Sequence, residues 1–401
     1  MDNYLDDLLE RFLALCNGPE NGRRRAMMRA VNNRTVTDRI PVYFSVPFEW
    51  SILRINLWKQ LLRTDIDIPR VLAAGGEYPT DLARQVIAFQ LKQRIFFIES
   101  MPGDMPIDPA ISTNFNLLWL GDPCSINPLW TRDRMRFDLQ TGDFHLTPFI
   151  TPRDVPGAIV VQPYRVDMRL HRRRVALFKE LTNGALVIHD DYLGRGMLNN
   201  FRAPFQELCH LCEPLEVLVA MRENPSFIHA MMSFLSDRVA ARRDEVSRAT
   251  DGAFVPEIAV GGDEVNCQLF SENDYVEYIL PYERRGAAIG PAHYYHSCGN
   301  LTPIFKHIVT LPNIHKIHVS PWSNLSVAVA TIGSQAVIQK MVDTQRDIMR
   351  NTTAGIQDML VDIRKTVTDA TIIEVGCNCE TFNDFERSKY FIQMGTELLR
   401  R

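Results

Sequence analysis

Ala287-Ala288-Ile289-Gly290-Pro291-Ala292-His293-Tyr294-Tyr295-His296-Ser297-Cys298-Gly299-Asn300 runs into a helical pattern over 301–311 and then into Ile314-His315-Lys316-Ile317-His318-Val319. A short run ending in a polar cluster, an amphipathic segment and a second short run read as strand, covering helix and strand. The same rhythm extends in both directions from about residue 160 onward. Strands are predicted at 184–190, 257–261, 287–296, 314–319, 334–339 and 372–376, and helices at 225–242, 272–285, 301–311 and 348–367. Such alternation predicts an all-parallel sheet covered by helices. No glycine-rich phosphate loop follows the first apolar run at 40–46, and Gly261-Gly262 is a turn, so a dinucleotide-binding fold is disfavoured. The expected fold class is α/β, a (β/α)8 TIM barrel.

Outside that core, residues 1–33 read as an N-terminal helical extension, with Leu5, Leu8, Leu9, Phe12 and Leu13 on one face and a break at 17–22. Residues 34–401 form the expected catalytic domain. Prolines, glycines and the alternation Met135-Arg136-Phe137-Asp138-Leu139 mark an inserted hairpin region at 103–156.

The chain has 401 residues, 46% hydrophobic and 23% charged, with a formal net charge of −4. That balance gives no electrostatic reason to expect nucleic acid or an anionic membrane as partner. Arg23-Arg24-Arg25 and Arg172-Arg173-Arg174 are short and read as solvated helix faces. The acidic opening Met1-Asp2-Asn3-Tyr4-Leu5-Asp6-Asp7 is unlike a secretory leader, and no apolar stretch is long enough to span a bilayer. Eight cysteines in this context imply reduced thiols, so the expected location is cytoplasmic.

In a (β/α)8 barrel the working residues project from the C-terminal ends of the strands. Three polar clusters follow predicted strands: Asp263-Glu264 with Cys267, His296-Ser297-Cys298-Gly299, and Cys377-Asn378-Cys379-Glu380. Alternate residues of a strand point the same way, so His296 and Cys298 can offer nitrogen and sulfur to one zinc ion. A third thiolate would come from Cys377 or Cys379; Cys377 is preferred because it sits nearer the strand end. Three protein ligands and one exchangeable position form the catalytic zinc pattern. Asp263 and Glu264 are candidates for acid–base work or a further ligand, and His189 and Asp190 for substrate contact. His315 and His318 read as structural or supporting, and Cys209 and Cys212 as packed or surface thiols.

Those residues also carry a resemblance. Arg34-Thr35-Val36-Thr37-Asp38-Arg39-Ile40-Pro41-Val42, Ser271-Glu272-Asn273-Asp274-Tyr275-Val276 with Leu280-Pro281-Tyr282, and above all His296-Ser297-Cys298-Gly299-Asn300 resemble the uroporphyrinogen decarboxylase superfamily, in its branch of cobalamin-dependent methyltransferases. The resemblance implies a (β/α)8 barrel and zinc held by His296, Cys298 and Cys377. It also implies a corrinoid (cobalamin) co-substrate and, as a possible assembly, a homodimer. Residues 17–29 lack the arginine-rich motif of the true decarboxylases, which disfavours porphyrinogen decarboxylation. Asp143-Phe144-His145 is the nearest approach to a cobalt-coordinating signature, but Pro148 stands where glycine is required. The corrinoid is therefore expected on a separate protein. The function expected is zinc-dependent methyl transfer between a small substrate or thiol and a corrinoid. The alternatives are a lyase or decarboxylase acting on a small carboxylated substrate without corrinoid, and a non-catalytic zinc-stabilised binding protein.

Overall fold

The computed structural model describes residues 2–45, short pieces between 58 and 74, 77–101, 103–113, 135–137, 144–159, 167–189, 200–201, 203–252, 257–290, 293–378 and 385–401. The first half of the chain contributes strands β1 (Val42–Ser45), β2 (Ala110–Ser112), β3 (Met135–Phe137), β4 (Phe144–Leu146), β5 (Val187–His189) and β6 (Asn200–Phe201). The second half contributes β7 (Glu257–Ile258), β8 (Val260–Gly261), β9 (His293–His296), β10 (Ile314–Val319), β11 (Val337–Met341) and β12 (Ile373–Asn378).

Six of these form one parallel sheet in the order β1-β12-β11-β10-β9-β8. The pairs β2–β5 and β6–β7 are also parallel. Only β3 and β4, inside the 103–156 region, pair antiparallel among the described strands. The fold is thus α/β with a six-stranded parallel sheet whose first and last strands are neighbours. The described strands do not close into a ring. No described helix is long and apolar enough to cross a membrane.

Residues 2–32 form two helices, Asp2–Asn17 and Pro19–Asn32, separated at Gly18, with Pro19 pre-set for a first helical turn. Leu5, Leu9 and Phe12 of the first helix are buried in the same core as the helix Thr80–Ser100 and the sheet. The predicted strand at 287–296 is shorter than expected. Its first residue ends a helix, Leu280–Ala287, and among the described residues of the segment only His293–His296 pairs. Conversely, β12 runs to Asn378, two residues past the predicted end.

The two faces of the sheet differ in chemistry. On one face Phe44 packs against Phe97 and Phe385, and the Tyr295 hydroxyl reaches Glu283 on the covering helix. The opposite face carries Tyr43, Tyr294, His296, Lys316, His318, Gln339 and Glu374, joined by hydrogen bonds and ring contacts. Alternation along each strand produces that division.

Candidate metal centre

The centre begins with two loops that leave neighbouring strands. Asp263 follows β8 by two residues, and His296 closes β9 with Cys298 two residues on. The loops are laced together. Ser297 Oγ donates to the Val265 carbonyl at 2.7 Å, the Cys267 amide to the Asn300 carbonyl at 2.9 Å, and the Asn300 amide to Asn266 Oδ1 at 3.0 Å. Gly299 allows this approach, since a Cβ there would lie 2.5 Å from Asn266.

The lacing places Asp263, His296 and Cys298 with one ligand atom each inside 4.8 Å of the others. His296 Nε2 lies 3.0 Å from Asp263 Oδ1 and 3.6 Å from Cys298 Sγ, and the Cys298 amide donates to Asp263 Oδ1 at 3.3 Å. A tetrahedral zinc with bonds of about 2.0–2.3 Å separates its donors by about 3.5 Å, so the set fits that ion with modest adjustment. Imidazole, thiolate and carboxylate together are a zinc-type donor set.

Electrostatics agree with that chemistry. Surrounding protein raises the Cys298 thiol, and the neighbouring Asp263 charge adds to it, giving about 12. A bound cation reverses that logic and draws the thiolate form. Burial works against the Asp263 carboxylate, but its hydrogen bonds to His296 and Cys298 outweigh that and hold the group low. His318 stacks on His296 with ring centroids 4.6 Å apart and planes 3° apart. Burial, followed by repulsion from His296, lowers His318 to about 3, so it supports the first ring as a neutral imidazole.

Glu264 is not in the three-residue group. It meets His210 of the helix Pro204–Leu211, Nε2 to Oε1 at 2.9 Å, and its charge adds to the rise of the Cys298 thiol. Sequence reasoning did not single out His210; its position on a helix between the buried Cys209 and the capping Cys212, also buried, gave little signal. His189 ends β5 in register with Ser112, and Asp190 lies outside the described residues. Cys267 is half-buried beside the centre, and burial pushes its thiol up to about 12.

Cys377 does not join the group either. It is buried on β12 in register with Phe44, whose ring packs on the helices. A Cβ on the adjacent Gly376 would strike Tyr43 and Met341 Sδ, so Gly376 faces the polar side and Cys377 the helix side. Cys379 lies outside the described residues.

The profile of the family described as uroporphyrinogen decarboxylase (URO-D) matches residues 196–398, just over half of the chain, and so includes both loops of the centre. The chain belongs to the uroporphyrinogen decarboxylase family. No curated protein sequence matches it. A solved methyltransferase from Methanosarcina mazei has a similar fold, with a TM-score of 0.57 at 12% identity, over 94% of this chain and 98% of that one. In this uroporphyrinogen decarboxylase family member, therefore, the fold is shared across nearly the whole length while the residues have diverged widely.

Proposed function

We propose that this family member is a zinc-dependent methyltransferase that moves a methyl group between a small substrate or thiol and a corrinoid carried by a separate protein. The reading is supported chiefly by Asp263, His296 and Cys298 converging just past the C-terminal ends of β8 and β9. It takes the sheet as part of a (β/α)8 barrel, whose strand ends carry the chemistry, and it agrees with the similarity to a methyltransferase.

His296 Nε2, Cys298 Sγ and the Asp263 carboxylate would hold the ion. Zinc there supplies Lewis acidity, lowering the pKa of a thiol or polarising an oxygen leaving group. The protein does the rest. The two laced loops fix the donors, and Cys298 opens to solvent, leaving an approach for substrate. Stacked His318 holds the His296 ring in plane. His210 and Glu264, one residue beyond Asp263, offer a proton carrier. That pair is also the observation favouring the rival lyase or decarboxylase, which needs a proton carrier and no corrinoid.

Purified protein should carry about one zinc per chain, and Cys298→Ser should strip it while the fold persists. Cys377→Ser and Cys379→Ser together decide between a carboxylate and a second thiolate as third ligand; zinc retained in both is expected, and zinc lost from either would replace Asp263 with that cysteine. Visible spectra of methylated corrinoid, followed across a panel of thiols, test the reaction. Unchanged spectra alongside carbon dioxide release from a carboxylated substrate would transfer the case to the lyase.

A further inference from the structure

Below the centre, on the polar face of the sheet, a line of hydrogen bonds runs inward from the other nitrogen of His296. Nδ1 lies 3.3 Å from the Tyr294 hydroxyl, which in turn contacts Gln339 Oε1. Gln339 Nε2 lies 2.9 Å from Glu374 Oε1 and 2.6 Å from the Tyr43 hydroxyl. Glu374 is fully buried, and Lys316 Nζ holds its two oxygens at 2.9 and 3.0 Å. Strand register produces the line, since Gln339 pairs with Glu374 and His318, and Tyr294 with Lys316.

The direction of every bond follows from the end that admits no choice. A carboxylate gripped by an ammonium offers acceptors only, so the Gln339 atom facing it must be the amide nitrogen. The two hydrogens of that nitrogen go to Glu374 and to Tyr43, and the Tyr43 hydroxyl returns its own proton to Glu374 at 3.3 Å. Gln339 therefore turns its carbonyl oxygen to Tyr294, whose hydroxyl must donate to it. The Tyr294 oxygen then remains as an acceptor for His296, which must carry its proton on Nδ1. With the Nδ1 proton held by Tyr294, a metal arriving between Asp263 and Cys298 takes the place of any proton on Nε2 and binds the lone pair of that nitrogen. Were Gln339 reversed, its oxygen would oppose a carboxylate and Tyr294 would be free to donate to Nδ1. The His296 proton would then sit on Nε2, where it blocks a metal.

We infer that Glu374, acting through Gln339 and Tyr294, is a positioning residue that fixes His296 in the tautomer presenting Nε2 to the metal. It is a carboxylate–histidine–metal arrangement stretched over two intermediates. The inference rests on the zinc reading above. None of the three touches the proposed ion, and all are distinct from the ligand set.

The test measures zinc affinity by competition with a chromophoric chelator, together with the absorption bands of the cobalt(II)-loaded protein, for wild type, Tyr294→Phe, Glu374→Gln and the double variant. Each single change should weaken zinc by about ten- to a hundredfold and shift the cobalt bands, because the imidazole becomes a poorer and less ordered donor. The double variant should lose little more than either single one, since both break the same line. Wild-type binding with both single variants within twofold and cobalt spectra unchanged would overturn the relay and leave the zinc centre standing. Wild type that takes up no metal would overturn the centre, and the relay with it. Should Glu374→Gln fail to fold, Tyr294→Phe, which removes one hydroxyl, decides the matter with thermal melting as the control.

Discussion

A Cβ on Gly261 would lie 2.2 Å from the carbonyl oxygen of His296, and the residue's φ is +84°, in the left-handed region. Both facts demand glycine. The next amide, Gly262, donates to that same His296 carbonyl at 2.6 Å, so this tight crossing sets the distance between Asp263 and His296. Gly261→Ala should cost about 1 kcal/mol or more of stability, read as a lower melting temperature. It should also reduce zinc content, because the Asp263 loop must move away from β9. An unchanged zinc content in a folded Gly261→Ala protein would show that the crossing does not position Asp263. At this scale the sequence was informative where polar residues followed apolar runs: His296, Cys298 and Asp263 were all legible from position alone. Cys377 was harder to place, because 372–377 holds a single polar residue and so only a thin alternation to show which side a residue takes. The one polar residue within it, Glu374, did carry the signal. Counting by twos from Glu374 puts Gly376 and Asn378 on the polar face and Cys377 on the other.

Between residue and sheet, the helix over Ser271–Ala287 shows how an element serves the centre from behind. Ser271 and Asp274 form a capping box, and the strand-facing turn Tyr275–Ile279 widens to a π-helix. Pro281 lacks the amide that would bond back to Glu277, and the widened turn accommodates that loss. The turn aims Tyr275 and Glu283 at one spot beneath the sheet. Glu283 Oε2 accepts from the Tyr275 hydroxyl at 2.6 Å, and Oε1 accepts from the Tyr295 hydroxyl and the Gly261 amide, each at 3.1 Å. Burial nonetheless pushes the Glu283 carboxyl from an ordinary 4.5 up to about 7. Between those values the unfolded chain has released a proton that the folded one retains. The contribution to stability is therefore fully present below pH about 4.5 and is lost as pH rises to about 7, about 3 kcal/mol in all. Denaturant melts at pH 5 and 7.5 should show that decline, and Glu283→Gln should flatten it. An equal decline in the variant would assign the slope to another group. The helix itself was legible from its period; its π turn was not, because the periodic pattern locates a helix but not a local change in its winding. The polar line from Tyr294 to Glu374 was likewise hidden, since a single strand does not reveal which residue will lie beside it.

For the whole molecule, the segment leading into β1 is tied both to the loop after the helix Thr80–Ser100 and to the end of the chain. Arg39 donates to Asp104 at 2.6 Å in a buried pair, and Asp104 also accepts from the Val42 amide at 2.9 Å. The Ile40 amide donates to the Leu399 carbonyl, and Arg39 bridges to Arg400. Asp104→Ala strands a buried guanidinium and should cost about 3–5 kcal/mol, measured by urea unfolding. A cost below about 1 kcal/mol would mean that water reaches Arg39 once the carboxylate is gone. The parallel α/β class was readable from the alternation of strands and helices, whereas closure of the sheet depends on pairings that no local pattern encodes.

The partnership of β1 with β12 has a temporal side. Val42 pairs with Val375, and Phe44 with Cys377. A ribosome adding about 5–20 residues per second separates the appearance of those partners by roughly 15–70 s. The centre's own strands and loops are nearer neighbours in sequence, all lying between 257 and 341, and can meet while the last strand is still unmade. During that wait β1 is an apolar strand with one edge lacking its native partner, available to any other nascent chain that carries a free edge of its own. Pairing between strands so far apart in sequence is intrinsically slow, so foreign strands have the longer time in which to compete for this edge.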